Sequence, residues 1–229
     1  MVRRRSLAVA SALLAIAFLG VGCGGGDEGG ERTQSDTTAA ETVINDDDQA
    51  LAEAIVLGLD DFPTGWRAEA PEENEGSIED CGTFDFSDMT VTGRAESDEF
   101  ASGNVSTVSS LALVFEEDAG SAFQQVASDD TAECLRDFIE RRVKEDPPEG
   151  VTFGEISVGE ISFPMVGEQS RAYEVVIEAE ADGLSPNVYA DLVFINVGRS
   201  LALLYFIDAL TPFDNDMKVE LSKKVASRM

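Results

Sequence analysis

The chain has 229 residues, of which 45 are Asp or Glu and 16 are Lys or Arg, giving a formal charge of −29 at neutral pH. A surface this acidic repels nucleic acid and anionic lipid headgroups, and both are excluded as electrostatic partners. The chain also contains no histidine, which removes Ser-His-Asp triads, Cys-His pairs and the common imidazole zinc sites together.

Taken in order, the sequence opens with Arg3, Arg4 and Arg5, continues through an uncharged apolar run at 7–21, and reaches Gly22-Cys23. That run is shorter than the roughly 20 residues a helix needs to cross a bilayer. Cationic head, apolar centre and small residues before a cysteine are the order of a secretory signal that ends at a lipid-attachment site. The tract resembles the bacterial lipobox, with one departure: Leu19 lies four residues before Cys23, and Gly20 stands where the family usually places its leucine. The expected organisation is a signal peptide at 1–22, an acidic tether at 23–46 and one domain at 47–229, held on the extracytoplasmic face of the cell membrane. Export also settles how the three cysteines divide. With Cys23 lipidated, Cys81 and Cys134 form an even pair in a compartment where disulfides persist. A Cys81–Cys134 bond is expected, and closing so long a loop contributes about 4 kcal/mol on the chain-entropy estimate. Two buried free thiols are the competing reading.

The tether is rich in Gly, Thr, Asp and Glu and has no aromatic residue. It cannot offset the entropy of ordering by burial, so a flexible coil reaching roughly 30 Å is expected. Leu51, Ile55 and Leu59 then repeat at helical spacing, with Asp48 ahead as the cap and Gly58 behind. Asp60 to Trp66 is a turn set by Pro63 and Gly65, and it delivers the only tryptophan of the chain. Trp66 has two readings, a packing anchor or a stacking platform at a ligand cleft.

Strand patterns follow at 89–100 and 105–115, with Gly103 at the turn between them. Two helical stripes come next: Ala119, Ala122, Phe123, Val126 and Ala127, then Leu135, Phe138, Ile139 and Val143, with Asp130 and Glu133 at capping-box spacing. Pro147-Pro148-Glu149-Gly150 ends the second. In 151–163 the glycines at 154 and 159 each shift the alternation, which predicts bulges or a bend. Tyr173 to Glu180 alternates apolar and acidic residues, and 188–197 and 201–209 are apolar on both phases, as a buried central hairpin requires. A last helix carries Phe213, Met217, Leu221 and Val225 on one side and ends in Lys223, Lys224 and Arg228. The order α-β-β-α-α-β-β-β-β-α predicts a single α+β domain, an antiparallel sheet of about six strands flanked by helices.

Several motifs in this sequence resemble the PknH-like extracellular sensor domain, found outside the membrane on actinobacterial Ser/Thr kinases and alone on lipoproteins. They are Asp61-Phe62-Pro63-x-Gly65-Trp66, the Cys81 and Cys134 pair, Val166 to Ser170, Phe194 to Arg199 and the closing helix from Pro212 to Arg228. The resemblance implies an antiparallel sheet flanked by helices, with a cleft used for ligand sensing or binding and no catalysis. Relatives often have two disulfides, and this chain can make one.

Other motifs are weak. Asp46-Asp47-Asp48 and Asp214-Asn215-Asp216 lack the glycine and distal glutamate of a calcium loop and read as helix caps or solvated charge. No metal site, cofactor site or catalytic residue is expected. The partners expected are the membrane, through the lipid, and a small molecule, lipid, glycan or envelope protein. The function this supports is a non-catalytic binding or sensor lipoprotein, with an envelope interaction or structural module as the alternative.

Overall fold

The computed structural model describes residues 41–70, 86, 88–103, 105–145, 150–181 and 184–229. The sheet contains nine strands among these: β1 (Glu41–Thr42), β2 (Trp66–Glu69), β3 (Thr90–Glu96), β4 (Glu99–Ser102), β5 (Ser106–Phe115), β6 (Val151–Ile161), β7 (Gln169–Ala181), β8 (Asn187–Val197) and β9 (Ser200–Asp208). The helices are α1 (Asp46–Ile55), α2 (Gly120–Val126), α3 (Thr131–Glu145) and α4 (Asn215–Ala226), with a 3₁₀ turn at Leu59–Asp61. The strand path is β1-β3-β5-β9-β8-β7-β6, and β4 pairs with β5 and with β2. Every pairing is antiparallel except β1 with β3. The architecture is therefore the α+β single sheet that the element order predicts.

More strands form than the roughly six expected, for local reasons. Residues 89–100 make two strands, because Ser97 and Asp98 break the ladder where the Ser97 amide turns to Ser110 O and the Ser97 hydroxyl to Asp98 O. Trp66–Glu69 adds to the edge of β4. Glu41–Thr42, within the stretch read as tether, lies parallel to β3, and the amides of Val43 and Asn45 donate to Val91 and Thr92.

The hairpin β8–β9 sits at the centre because both phases of each strand are apolar. Leu192, Phe194, Leu203 and Tyr205 face one core with α2 and α3, and Val193, Ile195, Leu204 and Phe206 face another with α1 and α4. Burying each such side chain contributes about 1.5 to 3 kcal/mol, so the two-sided hairpin anchors the domain. Its two-residue turn places Gly198 at φ +53°, a conformation glycine adopts without a side-chain clash.

Helix α1 is capped one turn earlier than its sequence predicts. Its cap is Asn45, whose side chain accepts the Asp48 amide at 2.9 Å, and not Asp48. Asp48 instead sits in the first turn and is buried, receiving both Arg199 guanidinium nitrogens at 2.8 and 3.1 Å and the Thr92 hydroxyl at 2.6 Å. These donors hold its carboxyl far below the usual range, with the Arg199 bond the largest cause. The helix can lie this close to β3 because residue 93 is glycine: a Cβ there would fall 2.1 Å from Asp48 O. The ladder slips at the same place, between Val91 and Gly93. On β6 the expected slip occurs between Phe153 and Ile156, at Gly154, while the register runs unbroken through Gly159.

Candidate functional site

Cys23 and Cys81 lie outside the described residues. Cys134 is on α3 against the α2/α3 core, and its sulfur is held in a disulfide rather than as a free thiol. Trp66 opens β2 and is half-buried, its ring centroid 4.8 Å from that of Phe62 and 6.4 Å from that of Phe213. Phe62 in turn meets Phe100 at 4.6 Å, and Phe213 meets Phe206 at 5.1 Å. Trp66 is thus the middle ring of an aromatic chain that runs Phe100, Phe62, Trp66, Phe213, Phe206. The turn that carries it is fastened to the C-terminus: Arg228 pairs with Asp61 and donates to Val56 O at 3.0 Å, and Lys224 donates to Asp61 O at 2.6 Å.

The helices do not cover the sheet evenly. On one face α2 lies against β8 and α3 against β6; on the other, α1 covers β3 and β5, and α4 covers β8 and β9. Burial along β7 shows the consequence. Tyr173, Val175, Ile177 and Ala179, on the α2/α3 face, are all buried, whereas Glu174 and Val176 on the opposite face are half-exposed and Glu178 and Glu180 are exposed. The α1/α4 face therefore opens over β7 and β6.

Register sets what stands on that open area, since residues paired across an antiparallel ladder project to the same side. One row runs Gly159, Glu174, Asp191, Phe206, Val108 and Phe100. The next runs Ser157, Val176, Tyr189, Asp208 and Ser106. Within the first row the character changes from aromatic to acidic at Asp191. Asp191 is 3% exposed and Lys218 of α4 is 5% exposed, and the Lys218 ammonium donates to Asp191 Oδ2 at 2.5 Å.

The second Asp191 oxygen, Oδ1, has no hydrogen-bond partner among the described residues, and neither has the Oγ of Ser222, one turn beyond Lys218 on α4. Buried polar atoms are rarely left in that condition, because each lost bond costs about 1 to 3 kcal/mol. Glu174 stands beside Asp191 across the β7–β8 ladder. Further along β7, the Glu178 carboxylate lies over Gly154, where an added Cβ would meet its Oε2 at 2.9 Å. Asp208 is already occupied: Oδ1 accepts the amides of Leu210 and Thr211, and Oδ2 accepts the Ser106 hydroxyl at 2.6 Å.

This arrangement holds carboxylates, one ammonium, an aromatic hydroxyl and the Ser106 hydroxyl on Asp208. Among the described residues, no group of three acidic or cysteine side chains could hold a metal ion, and no helix is long and apolar enough to cross a membrane. Sequence reasoning singled out Trp66 and passed over Asp191, Glu174 and Lys218. A signal was present for one of them: an aspartate inside a strand apolar on both phases must be paired or lie at an opening.

No family model and no curated protein matches the chain. Among solved structures it is similar to an uncharacterised Mycobacterium smegmatis protein, the Rv0999 ortholog. That likeness has 9% identity, covers 78% of this chain and 96% of the other, and has a TM-score of 0.36. It is also similar to LpqN of Mycobacterium tuberculosis, described as involved in cell envelope biogenesis. There the identity is 15% over 73% of this chain and 78% of the other, with a TM-score of 0.28. Likenesses this slight carry nothing about function, and the resemblance to the PknH-like sensor domain rests on the short motifs alone.

Proposed function

We propose that this protein is a lipid-anchored, non-catalytic binding domain on the extracytoplasmic face of the cell membrane. The observation that carries the binding role is the open half of the α1/α4 face, where the half-exposed Glu174, Val176 and Tyr189 border the buried Lys218–Asp191 pair. Sheets with this much apolar surface are ordinarily covered, and an uncovered area that keeps polar groups beside apolar ones is how small-ligand sites are built. The anchor rests on the order of residues 1–23, and a Cys81–Cys134 disulfide belongs to the same reading of an exported chain. A sensor role of the PknH-like kind would use the same face.

The alternative, an envelope interaction module, is favoured by one feature. Among the described residues β6 ends the strand path, so its outer edge, unpaired there, suits pairing by an extended segment. Two measurements test these readings. Cys23→Ser should move the protein from the membrane fraction to the soluble fraction, and a variant that still pellets after a salt wash overturns the anchor. Native mass spectrometry of the purified full chain should show a bound small molecule; an unliganded mass together with specific cross-links along β6 would favour the interaction module.

A further inference from the structure

We propose that the outer edge of β6 takes an extended, basic polypeptide segment as an added strand, with lysine or arginine at alternate positions facing Glu174, Glu178 and Glu180. This deepens the interaction reading given above and rests on it.

The fold treats the two ends of the strand path differently. At one end β1 pairs with β3, and the amides of Val43 and Asn45 continue the bonding. Farther along β3 the Gln49 side chain stands in for a strand: its amide donates to Arg94 O at 2.9 Å, and its oxygen accepts the Arg94 amide at 3.2 Å. At the other end lies β6, eleven residues long. Among the described residues its backbone pairs with β7 alone, and in the bulge the Glu155 amide lies 3.5 Å from Glu178 Oε2. Sheet edges are ordinarily kept short or guarded by lysine or proline. β6 contains neither.

The side chains behind this edge say what an added strand must carry. On the α1/α4 face β6 presents Thr152, Ser157 and Gly159, all exposed. Paired with them on β7 are Glu180, Val176 and Glu174, and Glu178 stands over Gly154 at the bulge. Neighbouring strands are about 4.8 Å apart, so the β7 glutamates lie about 10 Å from an added strand, with small side chains between. A long cationic side chain crosses such a strip with its stem on the strip and its charge at the far end. For a strand running in the direction of β7, the side chains on this face are basic, apolar, basic and basic, opposite Glu174, Val176, Glu178 and Glu180. Main-chain pairing supplies affinity in this mode of recognition, and the alternate side chains supply specificity. A second copy of this chain does not fit the edge, because the chain carries −29 and the charged side chains of β6 are Glu155 and Glu160.

An acidic protein attracts any basic peptide diffusely, so edge pairing is separated from the field of the whole chain. A short labelled peptide with lysine, valine, lysine and lysine at alternate positions, and threonine between them, is titrated into the full exported chain in detergent. The ionic strength is near physiological, where charges more than roughly 8 Å apart are screened. Binding is read by fluorescence anisotropy and by hydrogen exchange over residues 151–161. The β6 amides that do not bond to β7 should exchange rapidly in the free chain and be protected when the peptide binds, with saturation at one peptide per chain. N-methylation of one alternate set of peptide amides should abolish binding, and methylation of the other set should leave it, since one set faces β6 and the charges are the same in both. Glu178→Gln should weaken binding about threefold. Glu117→Gln, an exposed acid in the turn before α2, should leave affinity unchanged.

Slow exchange of those β6 amides in the free chain, equal binding of the two methylated peptides, or equal losses in Glu178→Gln and Glu117→Gln overturns the proposal. A neutral threonine and valine peptide that protects β6 as well as the basic one does would overturn the basic partner and keep the interaction reading. A β6 edge that neither peptide protects overturns both.

Discussion

Replacing Lys218 by methionine isolates the energetics of the buried pair. The side chains of Lys218 and Asp191 are 6% and 3% exposed, and their charged atoms are 2.5 Å apart. Lys218→Met keeps most of the packing volume on α4 and leaves the Asp191 carboxylate buried with neither oxygen bonded. Removing one partner of such a pair costs about 3 to 5 kcal/mol, a large share of the roughly 5 to 15 kcal/mol that holds a domain folded. At about 2 to 4 °C per kcal/mol for a domain of this size, the melting temperature should fall by roughly 6 to 20 °C. Lys218→Met combined with Asp191→Leu removes both charges and should recover most of the loss, since an apolar pair of similar volume is often as stable as the ion pair. The assay is urea unfolding of the wild type, both single variants and the double variant, read as a thermodynamic cycle. A loss below about 1 kcal/mol in Lys218→Met, the range of exposed pairs, would falsify the description of this pair as desolvated and carrying the α4 contact.

Three further outcomes are expected. Asp48 has a carboxyl depressed mainly by the Arg199 bond, so its contribution is complete above the unfolded carboxyl value of about 3.9 and is lost as the pH falls below it; unfolding measured from pH 7 to pH 3 should show a steeper acid loss in wild type than in Asp48→Asn, and parallel curves would contradict the assignment. Cys134→Ser should lower the melting temperature by roughly 10 °C, while labelling of both Cys81 and Cys134 in unreduced, denatured protein would show that they are not paired. Trp66→Ala removes ring contacts to Phe62 and Phe213 and should cost about 3 kcal/mol; a variant of unchanged stability that no longer responds to envelope extracts by fluorescence quenching would make Trp66 a ligand platform instead.

Much of the fold is legible because hydrophobic period is a local property. The central hairpin could be read from residues 188–197 and 201–209, since strands covered on both faces must be apolar on both phases, and the closing helix from its four-residue spacing. The two-residue turn needed Gly198, and the sequence supplies it. The proposed signal and lipid attachment at Cys23 likewise rest on a local pattern that involves no fold.

Strand order and helix coverage were decided only by tertiary structure. Asp48 lies 151 residues before Arg199, and no pattern in either segment says that they meet; the approach depends on Gly93 admitting the α1 backbone. Asp191 and Lys218 come together because α4 crosses β8, and Glu174 stands in the open because α4 stops short of β7. Tyr173 to Glu180 shows an alternating pattern that predicts an apolar side and a polar side. Which helices cover the apolar side follows from helix placement, and which residues share the polar one from the register across four successive strands. Period is fixed by neighbours along the chain, and sites are fixed by neighbours across it, which is why the core could be read from the sequence and the acidic face could not.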